Sequence, residues 1–129
     1  MVPEELNGAT LAYLGDAVLE IMVREKVIES GVGDVGKLNA MARAFVKATE
    51  QSNALNNIIG LLDEEEMSYF KRGRNTKGNT PKSASVIEYR RATGLESLFA
   101  FLYMKGRTER LKFLFETAYK DHFERIQDL

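Results

Sequence analysis

Cysteine is absent from the chain, which excludes disulfides and thiolate metal sites, and a single histidine, His122, excludes a histidine-rich zinc centre within one chain. Any metal must therefore be held by oxygen, and carboxylate oxygens suit hard cations such as Mg2+ or Mn2+. Proline is scarce too, with only Pro3 and Pro81. So few breakers in a chain rich in Leu, Ala, Glu and Lys favour helices, and no strand pattern stands out, so an all-α fold is expected. Long apolar runs are also missing. The longest stretch without a formal charge, Gln51 to Leu62, has 12 residues and carries several Asn and Gln, which leaves no membrane span. The acidic start, with Glu4 and Glu5, does not look like a signal peptide, and a cytoplasmic location is the default expectation.

What is present fits one soluble domain covering residues 1–129: 44% of residues are hydrophobic and 29% charged. Net charge is 18 minus 19, or -1, which argues against a uniformly basic nucleic-acid binder. The distribution says more than the sum. No acidic residue lies between Glu66 and Glu88, while Lys71, Arg72, Arg74, Lys77 and Lys82 fall in that window. The balancing acids, Asp63 to Glu66, sit just upstream.

Helical periodicity organises the rest. From Thr10 to Ser30, Leu11, Leu14, Val18, Ile21 and Ile28 predict one buried helix face, with Gly31 placed as a left-handed cap. A second pattern runs from Lys37 through Leu38, Met41, Ala42 and Phe45, and a third covers Leu55, Ile58, Ile59 and Leu62. Asp63 with Glu66 reads as a capping box opening a short helix that closes on Lys71 and Arg72. Gly73 to Lys82 is the best loop candidate and is also the basic stretch. Two more capping-box patterns follow, Ser85 with Glu88 and Thr93 with Glu96. The second would open the most apolar helix, whose residues Leu95 to Met104 point all round, predicting one face on the core and another on a partner subunit. Gly106 ends it, and a last helix is expected from Thr108 to Ile126.

Asp16 and Glu20 lie four apart on the first helix and share a face. Glu20 is assigned to an ion pair with Arg24, one turn further on. Asp16 follows Gly15, and two poor helix formers together ask for a reason. Gly15 would let another backbone or a substrate approach closely, with Asp16 facing it; an exposed aspartate beside a packing glycine is the competing reading. Glu96 could be no more than the far end of a capping box. His122 reads as a partly exposed packing residue, and the cations of the basic stretch as a solvated loop or as phosphate contacts.

The segment LAYLGDAVLE, Leu11 to Glu20, resembles the signature helix of ribonuclease III nuclease domains, and EYRRATGLESLFAFLYMKG, Glu88 to Gly106, resembles that family's later acidic helix. The order, the spacing and KRGRNTKG, Lys71 to Gly78, resemble most the Mini-ribonuclease III branch, which has no double-stranded-RNA-binding domain. The resemblance covers about Leu6 to Tyr119. It implies an all-helical homodimer that hydrolyses phosphodiesters of double-stranded RNA with Mg2+, Mn2+ serving as a substitute, in the maturation of large-subunit (23S) ribosomal RNA precursors. Asp16 matches the signature aspartate and Glu96 the metal-binding glutamate of the second block, so both are implied as metal ligands and catalytic residues. Two further acidic positions of the larger enzymes are Ala12 and Thr93 here, a thinner ligand set. Arg72, Arg74, Lys77 and Lys82 become candidates for RNA contacts, with duplex RNA read by shape, phosphates and 2′-hydroxyls.

Two rival readings have distinct signatures. A catalytically idle relative of the same fold, serving as an RNA-binding or ribosome-associated scaffold, would bind without a Mg2+-dependent product. A helical pyrophosphohydrolase would act on nucleoside triphosphates, but the run Asp63 to Glu66 is contiguous rather than spaced along two helices.

Overall fold

The computed structural model describes residues 2–127 apart from 79, 81 and 83, with side chains to residue 125. Among these the chain forms α1 (Gly8–Ile28), α2 (Val35–Val46), α3 (Ala48–Asn56), α4 (Glu64–Arg74), α5 (Val86–Met104), α6 (Thr108–Ala118) and α7 (Lys120–Gln127). Single 3-10 turns stand at Pro3–Glu5 and Ile59–Leu61, and no strand is present among the described residues. The all-α expectation holds.

Side chains supply the helix starts that the backbone cannot satisfy alone. The Asn7 side-chain oxygen accepts from the Thr10 amide at 2.9 Å, and the Asp34 carboxylate from the Lys37 amide at 3.0 Å. Both partners of the Asp63/Glu66 box are engaged, at 2.8 and 2.9 Å, and so are those of Ser85/Glu88, at 3.0 and 3.1 Å. Gly31 and Gly106 take φ of +85° and +68° just past α1 and α5, where the chain must turn left-handed.

α5 is the axis of the molecule, with α1, α4 and α3 packed around it. Its residues Leu95, Leu98, Phe99, Ala100, Phe101 and Leu102 are wholly buried. Two expectations change here. No helix opens at Thr93: its hydroxyl donates to the Tyr89 carbonyl one turn back at 2.9 Å, inside a continuous α5. Nor does the segment 95–104 offer a partner surface, because this chain's own helices cover it and of its large apolar side chains only Tyr103 is well exposed.

Other boundaries move for identifiable reasons. α1 carries apolar residues on two faces, and the buried one is Leu11, Gly15, Val18, Leu19, Val23 and Val27. Ile21 and Ile28, expected in the core, are 62% and 60% exposed. The third helix ends at Asn56 and gives way to the 3-10 turn. The last helix breaks at Tyr119, which is fully buried with its hydroxyl donating to the Phe45 carbonyl at 3.1 Å. α4 continues through Gly73 to Arg74, and its glycine serves close packing on α5 rather than a loop: a Cβ there would stand 2.5 Å from the Ser97 Cβ and 2.6 Å from the Thr93 carbonyl. The basic loop therefore begins at Asn75; its Asn79 and Pro81 lie outside the described residues.

Candidate active site

α1 and α5 touch backbone to backbone at one point. A Cβ on Gly15 would overlap the Glu96 carbonyl group, so only glycine allows the helices to pack as they do. Of the two approaches the sequence left open at Gly15, the structure has the backbone one. The next residue along α1, Asp16, thereby lines the same cavity as Glu96.

The Asp16 carboxylate is exposed, whereas Glu96 is partly buried. Burial pushes the Glu96 carboxyl up to about 9, its hydrogen bond with Asp16 and the Asp16 charge push the same way, and a hydrogen bond from Gln51 opposes them. Two carboxyl groups in contact cannot both ionise cheaply. Its own burial first, and then the charges of Glu96 and Glu50, raise the Tyr119 hydroxyl well above its ordinary value. A hard cation would offset the excess charge, and two oxygen donors are the chemistry such a cation takes. The residues present fit it. Among the described residues no cluster of three or more His, Cys, Asp or Glu side chains could hold a metal, so these two carboxylates stand without a third.

They open onto a cavity of about 360 Å³. α1 contributes Ala12, Tyr13 and Asp16; α5 contributes Tyr89, Thr93 and Glu96; the loop after α4 contributes Thr76 and Lys77. An ammonium group and two carboxylates in one open cavity can receive a phosphate together with a divalent cation.

The four cations expected to touch RNA separate into different settings. Lys77 lines the cavity. Arg74 lies over the Phe70 ring, 5.7 Å from its centroid, and donates to the Asn75 side chain at 3.2 Å. Lys82 is exposed beyond the cavity. Arg72 is engaged within the fold, where its guanidinium donates to the Pro3 and Leu6 carbonyls at 3.1 and 2.9 Å and stacks on Tyr69 at 4.5 Å. These bonds tie the first turn of the chain to α4.

Glu20 pairs with Arg24 at 3.8 Å, as expected. His122 is more buried than expected, at 6% exposure, between the Phe45 and Tyr119 rings and away from the cavity. Tyr13, Thr76, Tyr89 and Gln51 carried no signal in the sequence. Tyr89, Thr93 and Glu96 share a face only once α5 is known to be unbroken.

Residues 9–107 match the family described as Ribonuclease III domain. The Mini-ribonuclease 3 of Desulfitobacterium hafniense is 45% identical over 113 residues, spanning 88% of this chain and 72% of that protein. The Mini-ribonuclease 3 of Symbiobacterium thermophilum is 43% identical over 126 residues, spanning 97% and 96%. A crystal structure of a Fusobacterium nucleatum protein superposes with a TM-score of 0.83 at 34% identity, covering 91% of this chain and 94% of that one.

Proposed function

Because the chain belongs to the ribonuclease III family, in its Mini-ribonuclease 3 branch, and is an endoribonuclease of that type, we propose that Asp16 and Glu96 are its metal ligands and catalytic residues. The observation that carries this is that the Gly15–Glu96 backbone crossing of α1 and α5 sets both carboxylates on one cavity, with Lys77 lining it too. Held by these two carboxylates, Mg2+ or Mn2+ would supply an activated water near neutral pH and charge stabilisation on the phosphate oxygens. Each carboxylate gives one anionic oxygen. Lys77 holds the phosphate against them, and Arg74 and Lys82 contact the backbone on either side. The substrate is double-stranded RNA, recognised by shape and phosphates, and its biological source is a large-subunit (23S) ribosomal RNA precursor.

The catalytic unit is a homodimer of single-domain chains, each spanning residues 1–129, with two sites that cut the two strands of one duplex. One core cluster draws on helices α1 to α6, which supports a single unit. The outer face of α1 supports the dimer: Tyr13, Ala17, Ile21 and Ile28 form an exposed apolar stripe beside Asp16. No described helix is long and apolar enough to cross a membrane, and we place the enzyme in the cytoplasm.

Incubation with a structured ribosomal RNA precursor, with and without Mg2+, followed by mapping of the ends, tests this reading. Paired, staggered cuts that need Mg2+ are expected, and Asp16→Asn should fold and dimerise normally while losing at least about 100-fold in rate. Cleavage by that variant at the parent's rate would remove Asp16 from the site. Binding without any Mg2+-dependent product would point to a scaffold.

A further inference from the structure

We propose that Tyr89 is a specificity-determining residue for RNA over DNA: its hydroxyl engages a ribose 2′-hydroxyl beside the phosphate held at Lys77, a role that rests on the reading of this cavity as the cleavage site.

An RNA strand differs from DNA by one neutral hydroxyl on each ribose, a group that both donates and accepts. A side chain that reads it must offer a donor or acceptor that the metal, the phosphate and the fold have not already taken. Of the charged side chains lining the cavity, Asp16 and Glu96 are assigned to the cation and Lys77 to the phosphate. The neutral polar groups that remain are four hydroxyls, on Tyr13, Thr76, Tyr89 and Thr93.

Two of these are spent on the backbone. Thr76 donates to the Arg72 carbonyl at 3.1 Å and Thr93 to the Tyr89 carbonyl at 2.9 Å, each one turn back. A hydroxyl has a single proton, so both can now only accept. The Tyr13 and Tyr89 hydroxyls make no hydrogen bond among the described residues, unlike that of Tyr119, which the Phe45 carbonyl takes up. Tyr13 is 85% exposed, on the stripe of α1 proposed for the dimer. Tyr89 is half-buried, and its ring runs alongside the loop that carries Lys77: a Cβ on Gly78 would stand 3.7 Å from the Tyr89 hydroxyl oxygen and 3.9 Å from its Cε1. The proton and the lone pairs of this hydroxyl are thus both open, next to the phosphate site. In a nucleic-acid strand the 2′-carbon adjoins the 3′-carbon that bears the phosphate, which brings a 2′-hydroxyl within reach of a group placed there. The fold makes no use of the Tyr89 oxygen, and phenylalanine would pack as well; a ribose gives the oxygen its use.

The test pairs Tyr89→Phe with duplex RNAs that carry one 2′-deoxynucleotide at each position flanking the cut in turn, with kcat/KM measured for every combination in Mg2+. The parent should lose roughly 3- to 10-fold at one position, the worth of a neutral hydrogen bond. Tyr89→Phe should lose the same factor on the all-RNA duplex and nothing further from the deoxynucleotide at that position, while its penalties elsewhere match the parent's; this non-additivity marks a direct contact. The variant should also melt with the parent. Parent-like cleavage of all-RNA duplex by Tyr89→Phe overturns the proposal, and so does a slower variant that keeps every deoxy penalty or melts well below the parent, since the hydroxyl would then serve the fold. Asp16→Asn is the control. If it cuts at the parent's rate, the cavity is not the cleavage site and the role of Tyr89 falls with it; if it is inactive while Tyr89→Phe keeps every deoxy penalty, only the role of Tyr89 falls.

Discussion

Gly15 shows how one missing methyl group places a chemical site. In the sequence it was legible as an anomaly, a glycine before an aspartate inside a helix, but its partner was not, because the Glu96 backbone is 81 positions away along the chain. Gly15→Ala must push α1 off α5. A loss of about 2–4 kcal/mol in denaturant unfolding is expected, above the usual cost of an added methyl because the neighbour is backbone, together with loss of cleavage. Parent-like stability would mean that the helices separate freely. Glu96 gives a second prediction at this scale. Its carboxyl is raised, with burial the main cause and Asp16 next, so between its unfolded value of 4.5 and about 9 the folded chain holds a proton that the unfolded chain has released. Stability of the metal-free protein should therefore fall as pH rises through that window. Thermal melts in a chelator from pH 5 to 9 should show this decline, and Glu96→Gln should flatten it and be the more stable form at pH 9.

The capping boxes separate what spacing reveals from what it does not. Asp63/Glu66 and Ser85/Glu88 were readable because each stands where a helix begins. Thr93/Glu96 has the same spacing but sits in the interior of α5, where Thr93 bonds to the Tyr89 carbonyl and leaves Glu96 free for Asp16. Burial of the residues from Leu95 to Leu102 drives α5 through that point, and burial depends on tertiary packing that no local pattern contains. Glu66 has a further role that its cap concealed. Arg110 on α6 grips both its oxygens at 2.8 Å and also donates to the Leu61 carbonyl at 2.8 Å, joining the start of α4 to α6. The Arg110 hydrogen bond first, with the Asp63 amide, holds the Glu66 carboxyl below its ordinary range. This contribution is present above pH 4.5 and lost as pH falls through the lowered value. Arg110→Met should cost about 2–4 kcal/mol in denaturant unfolding at neutral pH, the penalty of a broken buried pair reduced for a guanidinium that is one-third exposed. The cost should shrink in acid; a cost unchanged at low pH would assign it to packing alone.

For the whole molecule, the proposed dimer turns on which face of α1 the fold leaves exposed. Periodicity identified the helix but assigned Ile21 and Ile28 to the core, since a helix apolar on two sides gives one moment and two candidate interiors. α5 drew the opposite error, its all-round apolarity read as partner surface when it marks the centre of the chain's own core. With α5 enclosed, the stripe Tyr13, Ala17, Ile21 and Ile28 is the exposed apolar surface on the site's own helix, and the proposed dimer uses it. Tyr13 is 85% exposed and lines the cavity, so a partner on this stripe would also shape the path of the RNA. Ile21→Glu places a like charge on each side of such an interface while leaving the core untouched. The variant should keep its circular dichroism and melting profile in dilute solution, sediment as a monomer where the parent sediments as a dimer, and stop making paired cuts across a duplex. A variant that still sediments as a dimer and still cuts both strands would move the interface away from α1.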